Sequence, residues 1–184
     1  MTCAYGKINT TMTSAPKHKN LNGFTIIELL IVIVVIGILA AITIVAFHGV
    51  QGRSQDASIQ SDIRQIVQKT HAYNVEKGNY PRDLTELSTI GVRVAPSAYD
   101  TSIQYNLSFC YSTDDVNRFA VHALSRSGAV YMYGSTSGKL ERYTGAVSYT
   151  GSSYTAFCSL AEPGTTGTSG SGWTGTAWRP WAGI

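Results

Sequence analysis

Charged residues are scarce in this sequence, and the basic ones near its start have no acidic counterpart. Asp, Glu, Lys and Arg make up 14% of the 184 residues. No acidic residue precedes Glu28, whereas Lys7, Lys17 and Lys19 do. Without these three lysines the 14 basic residues fall to 11, which equals the 11 acidic ones, so the net charge of +3 belongs to residues 1–23. A basic charge confined to the start of the chain does not indicate a nucleic-acid-binding protein.

Catalytic motifs are lacking as well. The sequence contains no Gly-rich phosphate loop, no nucleophile elbow and no carboxylate pair. His48, His71 and His122 stand alone and lack the spacing of metal ligands, so we expect packing or solvated roles for them. The sequence therefore predicts a protein that is not an enzyme and that holds no cofactor and no metal.

One long apolar run is present, over residues 24–47, and Glu28 is its only charged residue. A helix rising 1.5 Å per residue crosses a hydrocarbon core of ~30 Å in about 20 residues, so this run is long enough to span a membrane. Lipid enforces helical structure on it because a lone strand leaves backbone groups unsatisfied there. The lysines before it predict a cytoplasmic N-terminus. We expect a single-pass precursor in the cytoplasmic membrane.

Cysteine is rare, and its placement follows the apolar run. Cys3 precedes the run, while Cys110 and Cys158 follow it. If the run anchors in a membrane, Cys110 and Cys158 share the outer, oxidising side and Cys3 stays inside. The default expectation is one disulfide between Cys110 and Cys158.

Beyond the anchor, the pattern predicts an α+β fold. Over residues 48–78 an amphipathic helix continues from the anchor, with apolar residues at helical spacing, a cap at Gly78 and a stop at Pro81. Residues 79–162 predict a globular antiparallel β-sheet domain on which that helix packs. Its strands are expected at 103–111, 118–124 and 129–133, with one or two more between 139 and 158.

The C-terminal segment, residues 163–184, combines two opposing signals. Gly, Ser and Thr predominate, which is typical of a flexible tail. Large aromatic side chains normally pack against other groups, however, and the segment contains Trp173, Trp178 and Trp181. With Arg179 these tryptophans could form a patch that binds a sugar or a surface. Alternatively, they cover the sheet or pack on a neighbouring subunit. We expect this packing role rather than the binding patch.

Glu28 is the most informative single residue. A carboxylate within an apolar span costs on the order of 3 kcal/mol at mid-membrane, though less near an end, so it usually has a partner. If the chain is cut between Gly23 and Phe24, the new α-amino group of Phe24 lies one helical turn from Glu28. The two charges could pair within one chain or between adjacent chains. Alternatively, Glu28 reaches the cytoplasmic surface of an uncut anchor.

The junction KHKNLNGFTIIELL, residues 17–30, closely resembles the class III signal of type IV prepilins. That signal is a basic leader ending in Gly, then Phe-Thr-Ile or similar, with Glu at the fifth mature position. Residues 71–81 (HAYNVEKGNYP) also resemble the helix end of pilins and pseudopilins. The resemblance implies removal of leader 1–23, N-methylation of Phe24 and use of Glu28 in assembly. Met12 offers an internal start for that leader.

The resemblance further implies a structural subunit that polymerises through its N-terminal helix into an extracellular type IV pilus-like filament. Implied partners are further copies of the chain, other pilins, the prepilin peptidase, and an assembly platform with its ATPase. DNA and glycan partners, and a role in motility or adhesion, are left open at this point.

Two alternatives accompany this interpretation. Pseudopilins of type II secretion often bind calcium through acidic residues in a C-terminal loop. After Asp115, Glu141 and Glu162 are the only acidic residues, which disfavours that branch. The second alternative is a monomeric, membrane-tethered adhesin that uses the tryptophan-rich tail and needs no cut at Gly23.

Overall fold

A computed structural model of the chain describes residues 23–146, 148–150 and 153–182. The predictions for Cys3, Met12 and the rest of the leader up to residue 22 lie outside the described residues. The described residues form three α-helices: α1 (Ile26–Lys77), α2 (Leu84–Thr89) and α3 (Tyr154–Ala161). They also form five strands, all after α2 in the sequence and with α3 between the last two: β1 (Leu107–Ser112), β2 (Phe119–Leu124), β3 (Val130–Gly134), β4 (Leu140–Arg142) and β5 (Thr165–Ser171). Single turns of 3-10 helix occur at Pro96–Ala98 and Pro180–Ala182.

The helix α1 runs without interruption through Gly49 and Gly52 and ends where the sequence predicts. Gly78 adopts a left-handed backbone with φ of +80°, and its N–H donates to the carbonyl of Asn74 at 2.8 Å. Glycine takes this conformation without the steric penalty of a side chain, and the bond satisfies a carbonyl of the last turn. Pro81 follows three residues later. The predicted helix end is confirmed.

The chain divides into two compact units, with the boundary between Thr43 and Ile44. In the first unit every described residue is exposed, including the large apolar side chains from Phe24 to Ile42. By length and composition α1 could cross a membrane, and it is the one such helix among the described residues. A surface this apolar is stable only in lipid or against other apolar surfaces.

The second unit, called the head below, is built on one antiparallel sheet with strand order β4-β3-β2-β1-β5. One face of α1 supplies Ile59, Ile63 and Ile66, all fully buried in the core with Phe109 and Phe119 of the sheet. The spacing of four and three residues places these isoleucines on one side of the helix. The α+β fold predicted from the sequence is confirmed.

Two segments differ from the sequence-based division. Residues 154–161 are helical, so the region 139–158 contributes one strand, β4, and the start of α3. Residues 165–171, assigned to the tail, form β5 and pair with β1 at the edge of the sheet. Gly170 permits this arrangement, because a Cβ there would lie 2.8 Å from Nε1 of Trp181 and 2.9 Å from Cδ2 of Leu87. The head therefore extends to Ala182.

Candidate assembly site and the disulfide clasp of the head

The predicted processing junction is fully accessible. Phe24 is 89% exposed, and a Cβ built on Gly23 would meet no atom within 4 Å. The helix α1 begins two residues after Phe24, at Ile26. Among the residues that the structure describes, no crowding at this position requires glycine.

Thr25 and Glu28 form a reciprocal set of hydrogen bonds at the start of α1. The backbone N–H and the hydroxyl of Thr25 donate to Oε2 of Glu28, at 2.9 and 2.8 Å. In return, the N–H of Glu28 donates to Oγ1 of Thr25 at 3.3 Å. This is the pattern of a capping box, in which the first residue of the motif and the acidic residue three positions later satisfy each other's backbone donors.

The capping box changes how Glu28 is understood. The sequence-based interpretation counted Thr25 as part of the prepilin-like signal but gave it no capping role, although the Thr-x-x-Glu spacing before an apolar run is a known signal for this motif. Two donors on Oε2 reduce the cost of placing the carboxylate beside an apolar run. A carboxylate offers about four acceptor positions, so Glu28 retains capacity for a cation.

The Cys110–Cys158 disulfide is present and joins β1 to α3. Its Cα atoms are 5.7 Å apart, and both residues are fully buried. The side chain of His122 lies beside it, with Nε2 3.7 Å from Sγ of Cys158. The three side chains have the types and spacing of a metal site, since their ligand atoms lie within 4.8 Å of one another. The two sulfurs bond to each other, however, so neither is the thiolate that a metal requires.

Burial keeps the ring of His122 uncharged. Burial lowers the pKa of its imidazole to about 3, so the ring is neutral. The hydroxyl of Tyr149 donates to the carbonyl of Tyr105, and burial raises the pKa of that phenol, which keeps its proton. Nδ1 of His122 lies 2.9 Å from the hydroxyl of Tyr149, and the ring also hydrogen-bonds the backbone of Tyr154.

The three tryptophans occupy different environments. Trp173 and Trp178 are half-buried, and their rings lie 5.7 Å apart. Trp181 is 2% exposed, and its indole N–H donates to the carbonyl of Ser171 at 3.1 Å. Trp181 thus packs under the sheet edge, which corrects its inclusion in a surface patch. The patch predicted from the sequence is reduced to Trp173 and Trp178.

Comparison with known proteins agrees with this geometry. The family model described as the prokaryotic N-terminal methylation motif matches residues 18–44. The type IV wide pilus major component of Thermus thermophilus is 27% identical over 113 residues, which cover 61% of this chain and 80% of that protein. The type IV major pilin protein of Myxococcus xanthus is 33% identical over 89 residues, which cover 45% of this chain and 40% of that protein.

The fold and the N-terminal motif define a class of subunit that carries an exposed apolar helix ahead of a globular domain. The N-terminal motif and the two pilus relatives make the chain similar to type IV pilins.

Proposed function

We propose that this chain is a structural subunit of a type IV pilus-like filament and polymerises through α1. The observation that carries the proposal is the first unit: large apolar side chains exposed on all sides, with a capped carboxylate at their start. Both relatives carry names of pilus components. Such a helix finds apolar surroundings in the membrane before assembly and among neighbouring copies afterwards.

Processing would precede assembly. The methylation motif spans the junction between Gly23 and Phe24, and both residues are exposed in this chain. A prepilin peptidase would cut after Gly23, and methylation would follow on the amine of Phe24. The precursor would sit in the cytoplasmic membrane with its N-terminus inside. An assembly platform and its ATPase would then transfer it into an extracellular filament.

Assembly chemistry would centre on Glu28. Moving a helix from lipid into a helical bundle exchanges one set of apolar contacts for another, so packing and polar pairs supply the specificity. The α-amino group of Phe24 in an adjacent copy is a cation of suitable size for the free acceptor positions of Glu28. Thr25 would hold the carboxylate in place while that ion pair forms, which fixes the axial register between subunits.

The experiment separates the charge of Glu28 from its capping role. Glu28→Gln keeps an oxygen that accepts from Thr25 but removes the charge, whereas Thr25→Ala keeps the charge and removes the cap. Each variant is expressed as the sole copy, and sheared surface filaments are quantified. We expect few filaments from Glu28→Gln and a smaller loss from Thr25→Ala, because the ion pair and not the cap supplies the register.

A matched control is Glu76→Gln, which changes an exposed carboxylate paired with Lys77 near the other end of α1. It should assemble like the wild type. Gel mobility and thiol labelling check that every variant is cut and oxidised normally. If Glu28→Gln forms as many filaments as the wild type, the charge of Glu28 is not needed for assembly.

The secretion pseudopilin alternative gains no support from Glu162. Glu162 is 1% exposed, and its carboxylate accepts hydrogen bonds from the hydroxyl of Ser135 and from the N–H and hydroxyl of Thr136. Its oxygens therefore tie α3 to the end of β3 inside the head. They are not presented in an open loop, where calcium would take several oxygen ligands.

A further inference from the structure

Tyr105 adopts a backbone conformation that its side chain disfavours. Its φ is +60°, and it is the one non-glycine residue with positive φ among the residues that the structure describes. Left-handed backbone costs about 1–2 kcal/mol for an ordinary L-residue, whereas glycine or asparagine would occupy the position at lower cost. An aromatic residue held there at the surface of the head calls for an explanation by function.

Neighbouring groups fix this conformation on both sides of the residue. The N–H of Tyr105 donates to the carbonyl of Trp173 at 3.0 Å. The carbonyl of Tyr105 accepts from the hydroxyls of Tyr149 and Ser108. These bonds hold the ring of Tyr105 half-buried against Tyr154, with ring centroids 4.7 Å apart and planes tilted by 36°. The pair lies outside the buried clusters of the head and is partly accessible.

A second aromatic pair lies next to the first. Trp173 and Trp178 face each other across a tight turn, in which the N–H of Thr174 donates to the carbonyl of Ala177 at 3.0 Å. The indole N–H of Trp173 donates to the carbonyl of Thr101 at 3.2 Å. Trp173 therefore contacts both ends of the loop 101–105, and Tyr105 stands at one of those ends. We call these four half-buried rings the aromatic shelf: Tyr105, Tyr154, Trp173 and Trp178. Trp178 is anchored from below, because it packs on the core with its ring 5.1 Å from that of Tyr99.

The rim of the aromatic shelf is polar and uncharged. Segments 101–105 (TSIQY) and 173–178 (WTGTAW) contain no charged residue. Thr101, Gln104 and Thr176 are exposed there and offer hydroxyl and amide groups. The carboxylate of the adjacent Asp100 is engaged by the N–H and hydroxyl of Ser102, at 2.9 and 2.6 Å. Aromatic faces beside neutral hydrogen-bonding groups suit a ligand with an apolar face and hydroxyl edges.

We propose that the aromatic shelf binds the pyranose rings of an uncharged polysaccharide. The apolar C–H face of a sugar ring stacks on an aromatic ring, while its hydroxyls bond to the rim around Gln104. The two ring pairs provide two stacking positions for successive sugars. The strained backbone of Tyr105 presents its ring in a fixed orientation, which lowers the ordering cost of binding. This activity is separate from polymerisation through α1.

The test uses the full-length chain in a detergent without a sugar headgroup. Cellohexaose and chitohexaose are titrated separately, and binding is followed by tryptophan emission and by calorimetry. The informative variant is Tyr105→Asn, which fits the left-handed backbone and removes the ring. Tyr154→Leu is the second variant, at the first position of α3, and keeps an apolar side chain without the ring. We expect binding of at least one probe, weakened about tenfold in each variant, as the loss of one stacking contact predicts.

The matched control is Tyr111→Asn, which removes a half-buried tyrosine of β1 that lies outside the shelf, with the guanidinium of Arg82 over its ring. It should bind like the wild type. Near-ultraviolet circular dichroism confirms that each variant is folded. Absence of binding by both probes, or equal affinity in all variants, would overturn the proposal. So would a loss of filaments in the shelf variants without any sugar binding, since the rings would then belong to a contact between copies.

Discussion

Protonation of His122 should make the head less stable in mild acid, and the structure sets the size of the effect. Burial holds the folded pKa near 3, whereas the unfolded chain titrates near 6.5. The unfolded state therefore binds a proton between these values and the folded state does not. Stability is complete above pH 6.5 and falls progressively toward pH 3. At pH 5 the unfolding free energy should be about 2 kcal/mol lower than at pH 7.5.

The comparison variant is His122→Gln, whose amide can donate to Tyr149 but does not titrate. Full-length protein in detergent is unfolded with urea at both pH values and followed by tryptophan emission, since all three tryptophans lie in the head. The pH-dependent loss should be about 2 kcal/mol smaller in His122→Gln than in the wild type. Equal losses in the two proteins would refute the assignment of a buried neutral imidazole.

Asp62 should change the pH dependence of stability in the direction opposite to that of His122. Burial raises the pKa of Asp62 despite its hydrogen bonds from the N–H of Ala95 and the hydroxyl of Tyr99. The folded state therefore takes up that proton at a higher pH than the unfolded state, which adds stability as the pH falls. Asp62→Asn removes this gain. The unfolding free energy of the variant should therefore fall on acidification by at least as much as that of the wild type. A smaller loss would contradict the direction.

The remaining predictions concern the leader junction, the disulfide and two glycines. Gly23→Leu should leave uncut precursor in the membrane, seen as slower gel mobility. Cys158→Ser should make residues beyond about 135 sensitive to protease while α1 persists, because the disulfide closes a 48-residue separation that the chain-entropy model values at about 4 kcal/mol as an upper bound. Gly170→Ala should lower the unfolding free energy by about 1–3 kcal/mol, since the new methyl group would meet Trp181. Gly52→Ala, where the nearest atom lies at 3.6 Å, should instead stabilise α1 by up to about 1 kcal/mol. Urea unfolding decides both glycine variants, and a reversal of the two signs would contradict the packing described.

Local sequence patterns were sufficient to predict α1 and the central strands β1, β2 and β3. The recurrence of Ile59, Ile63 and Ile66 predicted the buried face of α1, and Gly78 predicted its end. The strands β1, β2 and β3 lie within or close to the predicted segments, because short Tyr- and Val-containing runs between turn residues are typical of antiparallel strands. These features depend on residues close in sequence, which a single chain displays directly.

Long-range contacts account for what the sequence did not predict. The segment Thr165–Ser171 contains only Thr, Ser and Gly, and it becomes β5 because it pairs with the edge of β1. The helix α3 is eight residues long, too short for a clear periodicity, and its inward residues Phe157 and Cys158 are fixed by packing and by the disulfide.

At the candidate assembly site and the aromatic shelf, the sequence likewise revealed local signals but not long-range contacts. Glu28 was identified because a lone carboxylate in an apolar run is costly, a signal within the sequence itself. The capping role of Thr25 was not predicted, although Thr25 lies three residues before Glu28, because the cost of a charge in an apolar run suggests a charged partner rather than a helix cap. The placement of Tyr105 beside Trp173 joins residues 68 positions apart, and its backbone strain has no signature in the sequence.

Intact mass spectrometry of sheared surface filaments tests the central claim most directly. If the chain is a processed, polymerised pilin, the filament protein begins at Phe24, carries one added methyl group on its N-terminus and retains the Cys110–Cys158 disulfide. Filaments that lack this chain, or a filament subunit that keeps residues before Phe24, would contradict the account.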